Sequence, residues 1–290
     1  MKLSPLFSSR FFFSGYGDQN VQTLQAMADN EGRFDEVQLL EHYCKYFGDP
    51  NSPYQVSLKI RGDWKKSTSA LPVEGPWIQK AVIKMMDSYK KGEFPTGAKD
   101  AYEHDGLVAF LPLIIQQSPA LDHEKLLSAF KLSTQFPFAL GHHIVEAELL
   151  SKYIEGSEDP INDVKEIFKN MKNSKANDLP LMVCKEIMMV EDALAKGMNH
   201  QMLVRKFGMA CELPGSFMSS LVSIIRAKNY ADGIRETIYC AGALGARSNF
   251  VGAVLGAKYG IESIPNEWIS RVEGIEDIIE NALKVFVDCK

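Results

Sequence analysis

Apolar residues recur at helical spacing along nearly the whole chain. From Ile275, the positions Ile275, Ile278, Ile279, Ala282, Leu283 and Phe286 follow i, i+3, i+4, i+7, i+8, i+11, which predicts a one-sided amphipathic helix. Val37, Leu40, Cys44 and Phe47 repeat the pattern, with Asp35 placed as N-cap and Gln38 as its returning partner. Val21, Leu24 and Met27 predict a shorter helix that starts at Asn20. Further helices are expected over roughly 76–91, 105–117, 122–133, 137–155, 160–172, 180–196, 199–211, 214–227, 230–241, 247–259 and 265–272. Punctuation agrees: Asp122 and Asn199 stand as caps, Gly156 and Gly197 as stops, and Pro76, Pro160, Pro180 and Pro214 in first turns.

No alternating strand of useful length interrupts this pattern. Residues 48–75 form the one long polar, turn-rich stretch and read as a loop over one face of a single domain, either functional or a plain surface excursion. The expectation is an all-α domain of about a dozen helices.

Composition adds exclusions. The 290 residues carry 32 Lys+Arg against 37 Asp+Glu, a net charge of -5, so neither nucleic acid nor an anionic membrane is expected as a partner. The five cysteines, Cys44, Cys184, Cys211, Cys240 and Cys289, show no paired spacing and read as reduced thiols, not a disulfide framework or a zinc site. No apolar run free of charge is long enough to span a membrane. Residues 1–17 hold Lys2, Arg10, four serines and no acid, a faint echo of a mitochondrial transit peptide. The expected compartment is the cytoplasm, with mitochondrial targeting as the alternative.

Two segments go beyond generic helices. The first is Tyr16-Gly17-Asp18-Gln19-Asn20, followed by a helix and then Gly32-Arg33-Phe34-Asp35; the second runs from Ala241 as AGALGARSNFVGAVLGAKYGIESIPNEWISRV. Together they resemble the ADP-ribosylglycohydrolase family, especially its divergent branch containing the jellyfish J-type crystallins and selenoprotein J. Val73-Glu74-Gly75-Pro76-Trp77, the stretch from Gly106 to Pro112 and Leu132-Ser133-Thr134-Gln135 fall in matching order between them. The resemblance covers about residues 15–287, and its C-terminal block is the most specific part. It implies a single-domain orthogonal helical bundle over 15–290, with 1–14 a divergent or shortened N-terminal segment. Active members use two magnesium ions to bind ADP-ribose and position water at the ribose anomeric carbon. Their ligands come from a Thr-Asp-Asp group before the early helix and an Asp-x-Asp-Thr/Ser group before the late glycine-rich helix. Magnesium needs several hard oxygen ligands, so such a site requires carboxylates on converging helix starts.

This sequence departs from that requirement. The first group reads Gly17-Asp18-Gln19, keeping one carboxylate, and the second aligns with Ala243-Leu244-Gly245-Ala246, which has none. Asp18 is the one remaining metal-ligand candidate. The resemblance then implies a protein of this fold that has lost the dinuclear chemistry and has no cofactor, serving as a structural protein or as a binder of ADP-ribose-like small molecules. The alternative is a magnesium-dependent hydrolase of the glycosidic bond in ADP-ribosylated substrates, with Asp18 and Asp105 or Glu103 rebuilding one metal site.

Ligand-binding candidates are Asp18, Gln19, His104, Asp105, Arg247, Ser248 and Asn249. Asp18 and Gln19 serve equally well as residues that start a helix at Asn20. His104-Asp105-Gly106 lies where active relatives have a polar turn before a pocket-lining helix, and it also reads as a generic cap. Arg247, Ser248 and Asn249 open the late helix, where exposed N–H groups and an arginine suit an anion or diphosphate; Ser and Asn are also ordinary helix starters. Gly252, Gly256 and Gly260 form a GxxxGxxxG ridge that would let another helix backbone approach. His142, His143, Glu146 and Glu148 include an i, i+4 pair, His142 with Glu146, that could place two ligands on one helix face, but they read better as an exposed polar face; Met182, Met188, Met189, Met198, Met202 and Met209 read as adaptable core packing. GxSxG, P-loop and dinucleotide fingerprints are absent.

Overall fold

The computed structural model describes residues 13–62, 75–171 and 178–287. The central part of the 48–75 stretch, most of the 1–17 segment and Cys289 lie outside them. Within the described residues the chain forms sixteen α-helices, with no strand pairing beyond two isolated bridges, Ala98 with Thr134 and Glu103 with Glu212. The all-α expectation holds.

Local chemistry sets the helix starts. α1 (Gly15–Asp29) begins on Ser14, whose hydroxyl accepts from the Gly17 N–H at 3.3 Å. This is five residues before the expected start at Asn20, so Asp18 and Gln19 lie inside the helix and do not begin it. α2 (Glu36–Gly48) starts on Asp35, which accepts from the Gln38 N–H at 2.8 Å, as the sequence pattern anticipates. α3 (Gln55–Gly62) falls in the stretch expected to be all loop. α4 (Lys80–Lys90) begins after Gln79, leaving Pro76 outside its first turn. The expected helix over 105–117 is two, α5 (Asp105–Val108) and α6 (Leu111–Gln117), parted at Ala109 and Phe110.

Asp122 caps α7 (His123–Ser133), and Gly156 stops α8 (Pro137–Glu155) in the left-handed region at φ 78°. α9 (Pro160–Asn170) is capped by Asp159; α10 (Asp178–Ala195) precedes the stop at Gly197. Asn199 caps α11 (His200–Phe207), which is shorter than expected. Pro214 stands just before α12 (Gly215–Arg226), and Asn229 caps α13 (Tyr230–Tyr239). α14 (Leu244–Tyr259) starts three residues before Arg247; α15 (Asn266–Ile269) and α16 (Ile275–Phe286) complete the order.

α8 is the central column, packed by α5, α6, α7, α9, α10 and α14. One apolar core runs from Leu24 to Val285, with Phe47, Phe110, Phe130, Phe217 and Phe250 among its fully buried side chains. Each such ring contributes on the order of 2–3 kcal/mol by burial. α1 lies across α2, α5, α6, α14 and α16, so its start faces the start of α14. No helix among the described residues is long and apolar enough to cross a membrane.

Two expectations fail on packing. The glycine ridge does not admit a neighbouring backbone: a Cβ at Gly252 would meet the Tyr230 hydroxyl at 3.4 Å, one at Gly256 would meet nothing within 4 Å, and Gly260 lies past the helix end. The methionines are largely outside, with Met182, Met188, Met189 and Met202 all about half exposed. α10 already fills its inner face with Val183, Cys184, Ile187, Val190 and Ala193.

The turn that aims α14 depends on Gly242. Its φ is 82°, and an added Cβ would come within 2.1 Å of the Met209 carbonyl oxygen. Gly242→Ala is expected to cost about 2–4 kcal/mol, through left-handed strain and the clash with backbone. The urea unfolding midpoint checks it; an unchanged midpoint would show that the turn tolerates a side chain.

Candidate functional site

The starts of α1, α5 and α14 converge beside the middle of α8, and the site is built from what they carry. Near the start of α1, Asp18 closes the first turn and Gln19 follows it, and both side chains are buried. Asp18 accepts hydrogen bonds from the hydroxyls of Tyr54, just before α3, and of Tyr46 on α2. Burial pushes the Asp18 carboxyl above its ordinary range against the pull of these two hydroxyls, and Tyr46 is itself pushed up to about 12 by burial and by Asp18. Gln19 donates through its amide to Gly15 O at 3.2 Å, Gln79 Oε1 at 3.3 Å and Asp105 Oδ1 at 3.0 Å.

Asp105 is thus drawn into the core toward α1. His104 precedes α5 but offers no side-chain cap; its Nε2 meets Glu146 Oε1 on α8 at 2.5 Å. The cap reading of His104 and Asp105 gives way to these cross-helix bonds. Glu146 also meets His143 Nδ1 at 3.3 Å, and all three side chains have no exposed surface. Burial works to raise the Glu146 carboxyl, but the charge and hydrogen bond of His104, with His143, outweigh it and hold the group at about 2. His143 is lowered by burial. His142 meets Glu186 at 2.8 Å and is raised: burial opposes its protonation, and Glu186 overcomes that. His123 meets Glu148 at 2.5 Å. The expected exposed polar face is therefore a set of buried pairs.

Between α1 and α14 the space is filled by Ser14 and Tyr16. A Cβ at Gly245 would come within 3.0 Å of Ser14 Oγ and 3.1 Å of the Tyr16 ring. The Tyr16 hydroxyl is hydrogen-bonded to the Cys211 thiol, and burial and the negative charge of Asp105 push its pKa upward. On α14, Arg247 is fully buried and donates from Nη2 to the Ala241 carbonyl, Asn249 donates to Gly245 O at 2.7 Å, and Ser248 is half-buried. These three lie within the helix and do not form an exposed N-terminal cluster.

Sequence-predicted residues therefore separate into groups. Asp18, Gln19 and Asp105 lie close together, His104 sits with Glu146, and Arg247 is apart. Tyr16, Tyr46, Tyr54, Gln79 and Cys211 escaped sequence reading because hydroxyl, amide and thiol partners carry no spacing rule. Beside Asp18 opens a cleft of about 700 Å³ whose lining includes Tyr46, Glu273, Asp277 and Asn281. Among the described residues, no group of three or more His, Cys, Asp or Glu side chains is placed to hold a metal ion.

Comparison with known proteins places this geometry in context. Residues 12–289 match the family model described as ADP-ribosylglycohydrolase. Crystallin J1A of Tripedalia cystophora is 27% identical over 271 residues, which cover 93% of this chain and 78% of the crystallin. Crystallin J1B of the same animal is 27% identical over 279 residues, covering 94% and 79%. A solved structure described as an ADP-ribosylglycohydrolase-related protein complex aligns with TM-score 0.60 over 96% of this chain and 82% of its own, at 16% identity, a likeness of fold alone.

The Glu146 cluster makes acid stability testable. A carboxyl lowered from 4.5 to about 2 contributes stability that is fully present above pH 4.5 and is lost as pH falls toward 2. That contribution is on the order of 3 kcal/mol. Urea midpoints followed from pH 5 down to pH 3 are expected to fall more steeply in the native protein than in Glu146→Gln. Parallel slopes would remove Glu146 from the account.

Proposed function

The chain belongs to the ADP-ribosylglycohydrolase family, and from that premise we propose a member without dinuclear magnesium hydrolysis, serving as a structural protein or as a binder of an ADP-ribose-like small molecule. The observation that carries this reading is the closed junction between the starts of α1 and α14. Where active relatives are expected to bring carboxylates together, Gly245 lies against Ser14 and Tyr16. The donor set does not fit a pair of magnesium ions: Asp18 accepts from two tyrosine hydroxyls, and Gln19 is an amide donating to Asp105. A carboxylate in place of Gln19 would stand roughly 3 Å from Asp105 and repel it.

The structural role has the stronger support. Among the described residues, the cleft beside Asp18 is lined by Asp18, Glu273 and Asp277 with no lysine, arginine or histidine, which disfavours a diphosphate. The similarity to two crystallins points the same way. A cytoplasmic location without nucleic-acid or membrane partners belongs to the same proposal.

Calorimetry with Mg²⁺ and ADP-ribose, followed by turnover on ADP-ribosylated protein, tests it. The expected outcome is no magnesium-dependent release, in native protein or in Asp18→Ala. Release that needs magnesium and disappears in Asp18→Ala would instead establish the hydrolase.

A further inference from the structure

The start of α14 holds a charge that no carboxylate among the described residues answers. Arg247 is 0% exposed and stands at the fourth helical position, where side chains lean back toward the helix start. Its guanidinium folds under the preceding turn, with Nη2 donating to the Ala241 carbonyl while Nε and Nη1 have no partner. Burial disfavours its charge, and the group that supports it is the thiol of Cys240, which burial itself pushes upward. Buried guanidinium donors left unpaired are costly, so a group that supplies acceptor oxygens there is favoured.

The surroundings select the sign of that group. Ala243 caps α14 without a side-chain hydrogen bond; the Leu244 N–H donates to Gly242 O at 2.9 Å and the Arg247 N–H to Ala243 O at 3.4 Å, so among the described residues the Gly245 and Ala246 N–H groups remain at the positive end of the helix dipole. Arg226 and Arg247 both bear on His200, and Glu236, the carboxylate beside them, is engaged by His200 Nδ1 at 3.1 Å. The turn above the guanidinium, Ala241 and Gly242, is exposed, so solvent lies on its far side.

We propose that Arg247 and the Gly245 and Ala246 amides of α14 form an oxyanion site for a phosphate-type group, either free phosphate or the phosphoryl group of a nucleotide-like ligand. The guanidinium fork matches the spacing of phosphate oxygens, and the helix start adds amide donors. Asn249 takes no part, since its amide is committed to Gly245 O. The helix start that the family resemblance would give to divalent cations is here built for anions. This goes beyond the non-hydrolytic reading and does not rest on it, because phosphate affinity and magnesium-dependent turnover are read separately.

Thermal melting of the full chain in inorganic phosphate, against chloride of matched ionic strength, is the test. The native protein is expected to gain about 2–4 °C at ten times the phosphate Kd. Arg247→Met, which keeps an apolar side chain in the same space, is expected to lose the phosphate-dependent gain. Arg247→Lys, which keeps the charge without the fork, is expected to keep a smaller one and serves if the Met variant does not fold. An ADP-ribose arm separates the sources: an Arg247-dependent gain at lower concentration than phosphate identifies the nucleotide, and the reverse order identifies the free ion. A native protein that melts alike in phosphate and chloride, or an equal gain in Arg247→Met, overturns the proposal.

Discussion

A carboxylate with no exposed surface stays charged inside a helical core only when donors close on it, and Glu146 meets that condition between His104 and His143. α8 has no solvent face from Gly141 to Ser151, so every polar side chain there must be answered from a neighbouring element. His104 answers from the start of α5, and the next residue, Asp105, reaches α1 through Gln19. The central column, the short α5 and the first helix are thereby held in one register by two consecutive residues. Breaking a buried pair of this kind costs about 3–5 kcal/mol, a large share of a typical stability of about 5–15 kcal/mol.

The helices were legible because caps and apolar periodicity act locally. Asp35, Asp122 and Asn199 cap the helices that follow them, and Gly156 ends α8 in the conformation that glycine permits. The errors arose where a distant neighbour decides. Asp18 and Gln19 look like helix starters, but Ser14 takes that role, and the one-turn shift carries both side chains into the core. His142, His143, Glu146 and Glu148 look like a wet face under a rule that sends polar residues to solvent. A countersignal was present: residues 132–151 contain no Lys or Arg, an unusual absence for a long helix with a solvent side. The methionines fail in the opposite sense, since an apolar residue type says nothing about which side of α10 faces out. The inner stripe of Val183, Ile187 and Val190 was the better guide.

The candidate site was legible only as a deficit. That Gln19, Ala243 and Gly245 stand where the resemblance implies carboxylates can be read along the chain, whereas the groups packed around them cannot. Tyr54 comes from the polar stretch after α2, Tyr16 from the first turn of α1, and Cys211 from the segment before α12. Each supplies one neutral polar atom, and neutral donors fit many backbones, so no spacing marks them in advance.

Those groups make electrostatic sense together. Carboxylates converging on one point repel until a cation arrives, and a fold that carries them gives up stability in the metal-free state. At the same junction this chain has an amide that donates to Asp105, hydroxyls that donate to Asp18, and a glycine covered by a tyrosine ring. Each of these lowers the repulsion that a carboxylate would bring. The one formal charge at the start of α14 is Arg247, opposite in sign to a metal ligand and favourable to an anion at the positive end of the helix. On the proposed reading, neutral side chains in place of acids and a buried guanidinium act in the same direction. Both would make the start of α14 a poor place for a divalent cation.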